Sequence, residues 1–295
     1  MAKGSVSVWI SAVRPRTLGA AIAPVVIATA MAYDTGSAHA LSAAACLLGA
    51  ILIQIGTNFA NDYFDFVKGT DTKDRVGPTR ATAAGLVTPQ TMRLAMIVAF
   101  ALVFVPGAYI LYRGGWPFLV IGLVSIACGV LYTGGPYPLG YLGLGDLFVL
   151  VFFGPVALGG TYYVQSITLD ANVLIAGLAP GLFSVAILTV NNLRDREGDA
   201  KSGKKTLAVR FGTRFARAEY VAALITGTLV IPLYLVMTTR GHYAALASIA
   251  VLLPAIPTIR TVLQKDGSSL NAALGNTGKL LLAFSLLFSA GWVLT

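Results

Sequence analysis

Long apolar runs separated by short polar segments dominate this chain. A helix needs about 20 mostly apolar residues to cross the hydrocarbon of a bilayer. Lipid offers the backbone no hydrogen-bonding partner, so runs of this length predict helices. Nine are predicted, at 17 to 33, 38 to 59, 89 to 112, 116 to 133, 145 to 165, 171 to 192, 216 to 237, 242 to 262 and 279 to 294. Pro24, Pro106, Pro155, Pro180, Pro232, Pro254 and Pro257 fall inside them. Neighbouring helices can satisfy the carbonyls that proline frees, so the expectation is kinks, not breaks. The first run follows Lys3, Arg14 and Arg16 and precedes Ala38-His39-Ala40, the feature order of a secretory signal. Its apolar stretch is longer than a usual signal core, so it reads as a retained span. The pattern predicts an all-α integral membrane protein forming a single domain over residues 1 to 295.

Composition agrees. Of the 295 residues 56% are apolar and 11% charged, against roughly 25% charged in an average soluble domain. That is too little charge to wet a globule, which excludes a soluble enzyme. The 21 lysines and arginines exceed the 12 acids, for a net charge of +9. In a nucleic-acid binder they would form a patch on a polar domain. Here they are scattered between apolar runs, so the expected partner is a lipid bilayer and not a nucleic acid. Cys46, Cys128, His39 and His242 lie far apart in or beside apolar runs, which suggests neither a disulfide framework nor a zinc site. With the N-terminus cytoplasmic, nineteen of the 21 cations fall on that side, and only Arg113 and Arg240 face the other. This is the bias that sets membrane orientation. Nine spans then place the C-terminus on the opposite side.

Seven of the 12 acids gather in two segments: Asp62, Asp65, Asp71 and Asp74 after the second run, and Asp195, Glu197 and Asp199 after the sixth. Each segment opens with an asparagine four residues before an aspartate, Asn61 before Asp65 and Asn191 before Asp195. Residues one turn apart share a helix face. A further aspartate follows in each, so the chain reads as two weakly similar halves. Mixed charge of this kind can be a solvated face. These motifs, however, begin where the helices are still in or near the membrane, where polar residues are costly and functional. Magnesium takes oxygen ligands and is commonly held by one or two carboxylates plus substrate phosphates. Two facing acidic motifs therefore suit a diphosphate bridged by magnesium ions. Lys68, Arg75, Arg80, Lys201, Lys204, Lys205 and Arg210 would neutralise the remaining phosphate charge.

Residues Gly198 to Thr206 nearly match the phosphate loop G-x-x-x-x-G-K-[ST], but Lys205 occupies the hydroxyl position and a helix precedes where a strand is required. The segment from Tyr132 to Asp146 carries five glycines and no lysine or arginine. It reads either as a tight connection or as the wall of an acceptor site, where tyrosine rings such as Tyr132 and Tyr137 stack on a ring substrate and shield a carbocation.

Asn61-Asp62-x-x-Asp65, Lys68-Gly69-x-Asp71, Asn191-Asn192-x-Arg194-Asp195-x-x-x-Asp199 and Lys204-Lys205-Thr206-Leu207 resemble the UbiA-type intramembrane aromatic prenyltransferases. Arg14-Pro15-Arg16-Thr17, Tyr132-Thr133-Gly134-Gly135 and Gly143-Leu144-Gly145-Asp146 are similar, more narrowly, to its 1,4-dihydroxy-2-naphthoate polyprenyltransferase branch in menaquinone biosynthesis. The resemblance covers essentially the whole chain and implies a nine-helix bundle in the cell membrane with its active site facing the cytoplasm. It implies Mg2+ bound through Asp65, Asp71, Asp195 and Asp199, with Asp65, Asp195, Asp199 and Lys68 catalytic. Asn61, Asp62, Asn191, Arg75, Arg80, Arg194, Lys201, Lys204, Lys205, Arg210, Tyr132, Tyr137 and Arg16 would bind the substrates. The implied reaction moves a polyprenyl group from polyprenyl diphosphate to 1,4-dihydroxy-2-naphthoate with loss of carbon dioxide and diphosphate, giving demethylmenaquinone. The general pattern has an aspartate where Gly69 stands, so Asp71 and Asp74 both remain candidate ligands. Two other readings stay open: the same superfamily acting on another acceptor such as 4-hydroxybenzoate, and a transporter. A transporter would carry polar residues near mid-membrane, whereas the acids here collect at helix ends.

Overall fold

A computed structural model describes residues 5–70 and 76–294. The chain is a helical bundle. A short α1 (Val6–Val13) leads into α2 (Pro15–Asp34) and α3 (Ala40–Val67). The next rod is α4 (Pro89–Leu102) and α5 (Phe104–Gly114), parted at Val103, and α6 (Trp116–Leu131) follows. Helices α7 (Gly145–Val151) and α8 (Ala157–Ser166) are joined by a widened π turn, Phe152–Val156. The long α9 (Ala171–Lys201) precedes α10 (Leu207–Ile225) and α11 (Ile231–Thr239), joined by a second π turn, Thr226–Val230. A 3-10 stretch, Tyr243–Val251, runs into α12 (Leu252–Gln264), and α13 (Leu270–Leu294) completes the bundle.

The irregularities follow the prolines. A proline cannot donate to the carbonyl four residues back, and its ring crowds that carbonyl. The ladder accordingly shifts at or just upstream of Pro106, Pro155, Pro232 and Pro254, with Gly154 leaving helical geometry at φ −109°, ψ −114°. Pro24 and Pro180 sit inside uninterrupted helices.

Among the described residues, eight segments are long and apolar enough to cross a membrane. The remaining predicted run, the fourth (116 to 133), is the helix α6, apolar but only 16 residues long. At 1.5 Å per residue it spans about 24 Å, short of the roughly 30 Å of hydrocarbon. The hydropathy reading also placed helix ends too early. Helices α3 and α9 run on to Val67 and Lys201, well past 59 and 192. Both acidic motifs therefore begin within the last turns of helices and not in loops, because side chains projecting at the membrane surface can be polar without ending the backbone ladder.

One core joins α2, α8, α9, α10 and α13 around Phe183, Tyr220, Phe284, Phe288 and Trp292. A smaller one joins α1, α3 and α4 around Phe59, Met92 and Phe100. Backbones touch where α9 crosses the kinked rod: a Cβ on Gly181 would stand 2.6 Å from the Leu150 carbonyl, and one on Gly177 would stand 2.8 Å from Pro155 Cα. Small residues at four-residue spacing permit such approach in membrane bundles.

Candidate functional site

The last turns of α3 present the first motif. Asp65 is buried, and its carboxylate is surrounded: Arg80 Nη2 lies 3.3 Å from Oδ2, Lys204 Nζ 3.2 Å from Oδ1, and the Thr70 hydroxyl donates to Oδ1 at 3.0 Å. The Tyr141 hydroxyl donates from 3.4 Å. Asp62, almost one turn earlier and also buried, accepts from the backbone amides of Ala81 and Thr82, both at 3.0 Å. It thereby anchors the segment that returns Arg80 to Asp65. Asn61 Oδ1 accepts from the Thr133 hydroxyl.

The end of α9 presents the second motif around the buried guanidinium of Arg194. Its Nε donates to Asp195 Oδ1 at 2.8 Å, and Nη2 reaches Asp195 Oδ2 and, at 2.7 Å, Asn191 Oδ1. Nη1 donates to Asn271 Oδ1 on α13 at 3.0 Å. This is the two-pronged geometry in which arginine grips carboxylates most firmly. A Cβ on Gly77 would stand 2.7 Å from Arg194 Nη2, and Asn271 Nδ2 donates to the Val76 carbonyl at 3.3 Å. The segment after the first motif thus rests on the second.

Lys204 joins the two. Its ammonium lies 3.2 Å from Asp65 Oδ1 and 3.8 Å from Asp199 Oδ1, and 5.0 Å from the centre of the Tyr141 ring. Burial acts to lower the pKa of this ammonium, but the charges of Asp65 and Asp199 outweigh it, and the net shift is upward. Lys68 stands over the same ring at 4.9 Å and donates to the carbonyls of Thr133 (2.7 Å) and Gly135 (3.0 Å). Burial pushes Lys68 down; Asp65 pulls it up and Lys204 adds to the fall. Burial raises the Tyr141 phenol, which stays protonated. Tyr132 is raised for the same reason, with Asp146, Asp199 and Asp65 adding to the effect.

The remaining sequence candidates lie further out. Arg210 donates to the carbonyls of Lys205 (3.0 Å) and Leu142 (2.8 Å), a strap between the tyrosine-rich segment and α10. The backbone of Lys205 donates to the Tyr141 carbonyl, and its side chain, like that of Lys201, is exposed. Arg16 is exposed at the start of α2, its Cδ 3.5 Å from where a Cβ on Gly275 of α13 would stand. Tyr137 is 77% exposed and stands outside this network. Asp71 and Arg75, with Asp74, lie outside the described residues. Sequence reasoning missed Tyr141, Thr70 and Asn271. Tyr141 lies in the aromatic segment already singled out, but nothing in its spacing distinguishes it from Tyr137.

Among the described residues no three His, Cys, Asp or Glu side chains converge as a ready-made metal cluster. The donor set nonetheless suits magnesium shared with a phosphate, which needs only one or two carboxylates from the protein. Hard oxygens of Asp65 and Asp199 already face one cation, the Lys204 ammonium, from opposite halves of the chain.

An apolar chamber of about 240 Å³ runs between α2, α3, α5, α6 and the kinked α7–α8 rod. Tyr132, Leu139 and Phe148 line it along with Thr57, and Cys46 and Cys128, both free thiols, lie on its wall. Tyr132 lines the chamber, and the adjacent Thr133 bonds Asn61 and Lys68, so this turn links the chamber to the ionic cluster.

Residues 21–292 match the UbiA prenyltransferase family. The chain is 34% identical to a 1,4-dihydroxy-2-naphthoate octaprenyltransferase of Haemophilus influenzae, over 99% of this chain and 97% of the relative. It is 36% identical to the enzyme of that name in Escherichia coli, over 96% and 94%. In three dimensions it is similar to a UbiA homolog from Archaeoglobus fulgidus bound to GPP and Mg2+, at TM-score 0.65 and 15% identity, covering 96% of this chain and 99% of that one. A match of this extent, on a bundle of membrane-length helices, settles the family: the chain is a multi-pass membrane protein and belongs to the UbiA prenyltransferase family.

Proposed function

We propose that the chain transfers a polyprenyl group from polyprenyl diphosphate to 1,4-dihydroxy-2-naphthoate, releasing carbon dioxide and diphosphate. One observation carries the reading: acids from both halves of the chain converge on Lys204 over the Tyr141 ring, and the same tyrosine-rich segment contributes Tyr132 and Leu139 to the wall of an apolar chamber. A prenyl diphosphate has this shape, an anionic head and a long apolar tail. The names of the relatives supply the acceptor.

The diphosphate lies between Asp65, Asp195 and Asp199, with Asp71 as the fourth acid. Magnesium held by these acids would neutralise the charge that grows on the departing diphosphate. Lys204, Arg80 and Arg194 hold the carboxylates in place, and Lys68 and Lys204 add donors at the head. Tyr132 and Tyr141 turn ring faces toward cationic character, which aromatic rings stabilise. The chamber excludes water that would capture the allylic cation. The whole chain forms one domain with nine spans, counting the short α6. Its N-terminus and active site face the cytoplasm of the cell membrane, and its C-terminus faces the other side.

The test is turnover by the full chain in lipid nanodiscs, with radiolabelled isoprenoid diphosphates of several lengths and a panel of aromatic acids, with and without chelator. The expected result is naphthoate consumption, carbon dioxide release and arrest by chelator restored with magnesium. Consumption of 4-hydroxybenzoate without carbon dioxide would replace the acceptor, and solute transport without any prenylated product would overturn the enzyme reading.

A further inference from the structure

Asp146 opens α7 and is 8% exposed, yet its Oδ1 has no hydrogen-bond partner among the described residues. A carboxylate is an acceptor-only group, and buried polar groups are almost always paired because leaving them bare is costly. An unsatisfied buried acceptor beside a reaction site marks where a donor arrives with a ligand.

The surroundings narrow the donor. A Cβ on Gly145 would stand 2.8 Å from the Tyr132 hydroxyl oxygen and 3.4 Å from Leu188 of α9. Glu219 of α10 is near enough to feel the Asp146 charge, and its Oε2 accepts from the Thr189 hydroxyl at 3.3 Å. Tyr132 lines the apolar chamber and its hydroxyl abuts the Gly145 backbone next to Asp146, so Asp146 sits by the chamber wall. Of the species that enter the site, a prenyl tail has no polar hydrogen, and an ionised diphosphate, like the carboxylate itself, offers only acceptors. An aromatic diol carries O–H donors on a flat ring that fits beside Tyr132.

We propose that Asp146 Oδ1 accepts a hydrogen bond from a ring hydroxyl of the aromatic acceptor, holding the ring beside Tyr132 and enriching its electron density; this rests on the function proposed above. The carbon–oxygen bond to diphosphate breaks, and its electron pair leaves on the diphosphate. The ring supplies the pair for the new carbon–carbon bond, and departure of the carboxylate as carbon dioxide returns a pair to the ring. The hydroxyl proton is shared with Asp146 during attack and retained in the hydroquinone product, so no proton, oxidant or reductant is consumed.

The experiment measures steady-state turnover of the full chain in nanodiscs for the wild type, Asp146→Asn and Asp146→Glu, varying naphthoate and prenyl diphosphate separately. Asp146→Asn is expected to lower kcat/KM for naphthoate about 10- to 100-fold, the cost of a charge-assisted hydrogen bond, with KM for the diphosphate unchanged. Replacing 1,4-dihydroxy-2-naphthoate with analogues lacking one hydroxyl should cost the wild type heavily for one analogue and cost Asp146→Asn little for that same analogue. A loss shared equally by both substrates, or full additivity with both analogues, would overturn the assignment. Should Asp146→Asn not accumulate in membranes, Asp146→Glu decides: a raised KM confined to the acceptor supports the assignment, and parallel changes for both substrates sink it. A wild type that ignores naphthoate but alkylates another phenol would displace the acceptor named above. With that phenol, an acceptor-confined loss in Asp146→Asn would still support the role of Asp146, and no such loss would remove it.

Discussion

Lys204 Nζ and Asp65 Oδ1 lie 3.2 Å apart across 139 residues of chain. The same ammonium reaches Asp199 at 3.8 Å, so one side chain joins the end of α3 to the end of α9. Without it two buried or half-buried carboxylates face each other with less compensating charge, and repulsion pushes the motifs apart or raises their proton affinity. Lys204→Met is expected to reduce kcat/KM for prenyl diphosphate about 100-fold, the scale of losing charge-assisted bonds to the leaving group. Lys204→Arg should fall between. Steady-state kinetics in nanodiscs check this, and a change below about threefold would remove Lys204 from the diphosphate grip.

Much of this site is legible in the sequence, because helical register carries it. The four-residue spacing of Asn61 and Asp65, and of Asn191 and Asp195, places each pair on one face, and the helices do continue through both pairs. The spacing does not say what reaches each face. Asp62 and Asp65 stand three residues apart, yet one holds the amides of Ala81 and Thr82 and the other meets Arg80 and Lys204. That division depends on how a later segment folds back. Asn271 completes the Arg194 fork from α13, 77 residues away. Its asparagine sits among apolar neighbours without any motif to mark it. Tyr137 and Tyr141 differ only in which way an irregular segment turns them.

The two aspartates Asp62 and Asp195 should separate folding from turnover. Asp62→Ala strips two buried amides of their acceptor, which costs about 3 kcal/mol. Thermal unfolding in detergent should shift down clearly, and protease should cut sooner near Ala81. Asp195→Asn keeps the side-chain volume and a partner for Arg194, so the melting curve should hardly move while turnover is abolished. A melting loss as large for Asp195→Asn as for Asp62→Ala would show that Asp195 is structural.

Lys68 and Lys204 flank one ring but are shifted oppositely, and the sign sets different pH windows. Lys204 lies above the ordinary 10.5, so its stabilising charge is fully present below that pH and is lost only as the pH rises through the higher folded value. Lys68 lies below 10.5, so its charged form opposes folding at neutral pH, and that cost fades as pH rises through its lowered value toward 10.5. Trace acetylation followed by mass spectrometry from pH 8 to 11 should label Lys68 earlier and faster. Equal or inverted labelling would contradict the assignment.

The length of prenyl group accepted should depend on the free volume of the chamber. Gly122 of α6 lies on its wall, and a Cβ added there meets no atom within 4 Å. Filling this space therefore intrudes on the cavity without crushing a neighbouring backbone, in contrast to Gly177 and Gly181, where any added carbon strikes the crossing rod. A phenylalanine at 122 would occupy a sizeable part of the roughly 240 Å³. A long tail would then have to bend out toward lipid, losing about 0.8 kcal/mol for each methylene left unburied. Two or three displaced carbons correspond to a discrimination of about 30-fold. Gly122→Phe is expected to shift the ratio of kcat/KM values toward the shorter of two isoprenoid diphosphates by about that factor, with KM for the aromatic acceptor unchanged. An unchanged length preference in a correctly folded variant would place the tail elsewhere, along the lipid-facing side of α6.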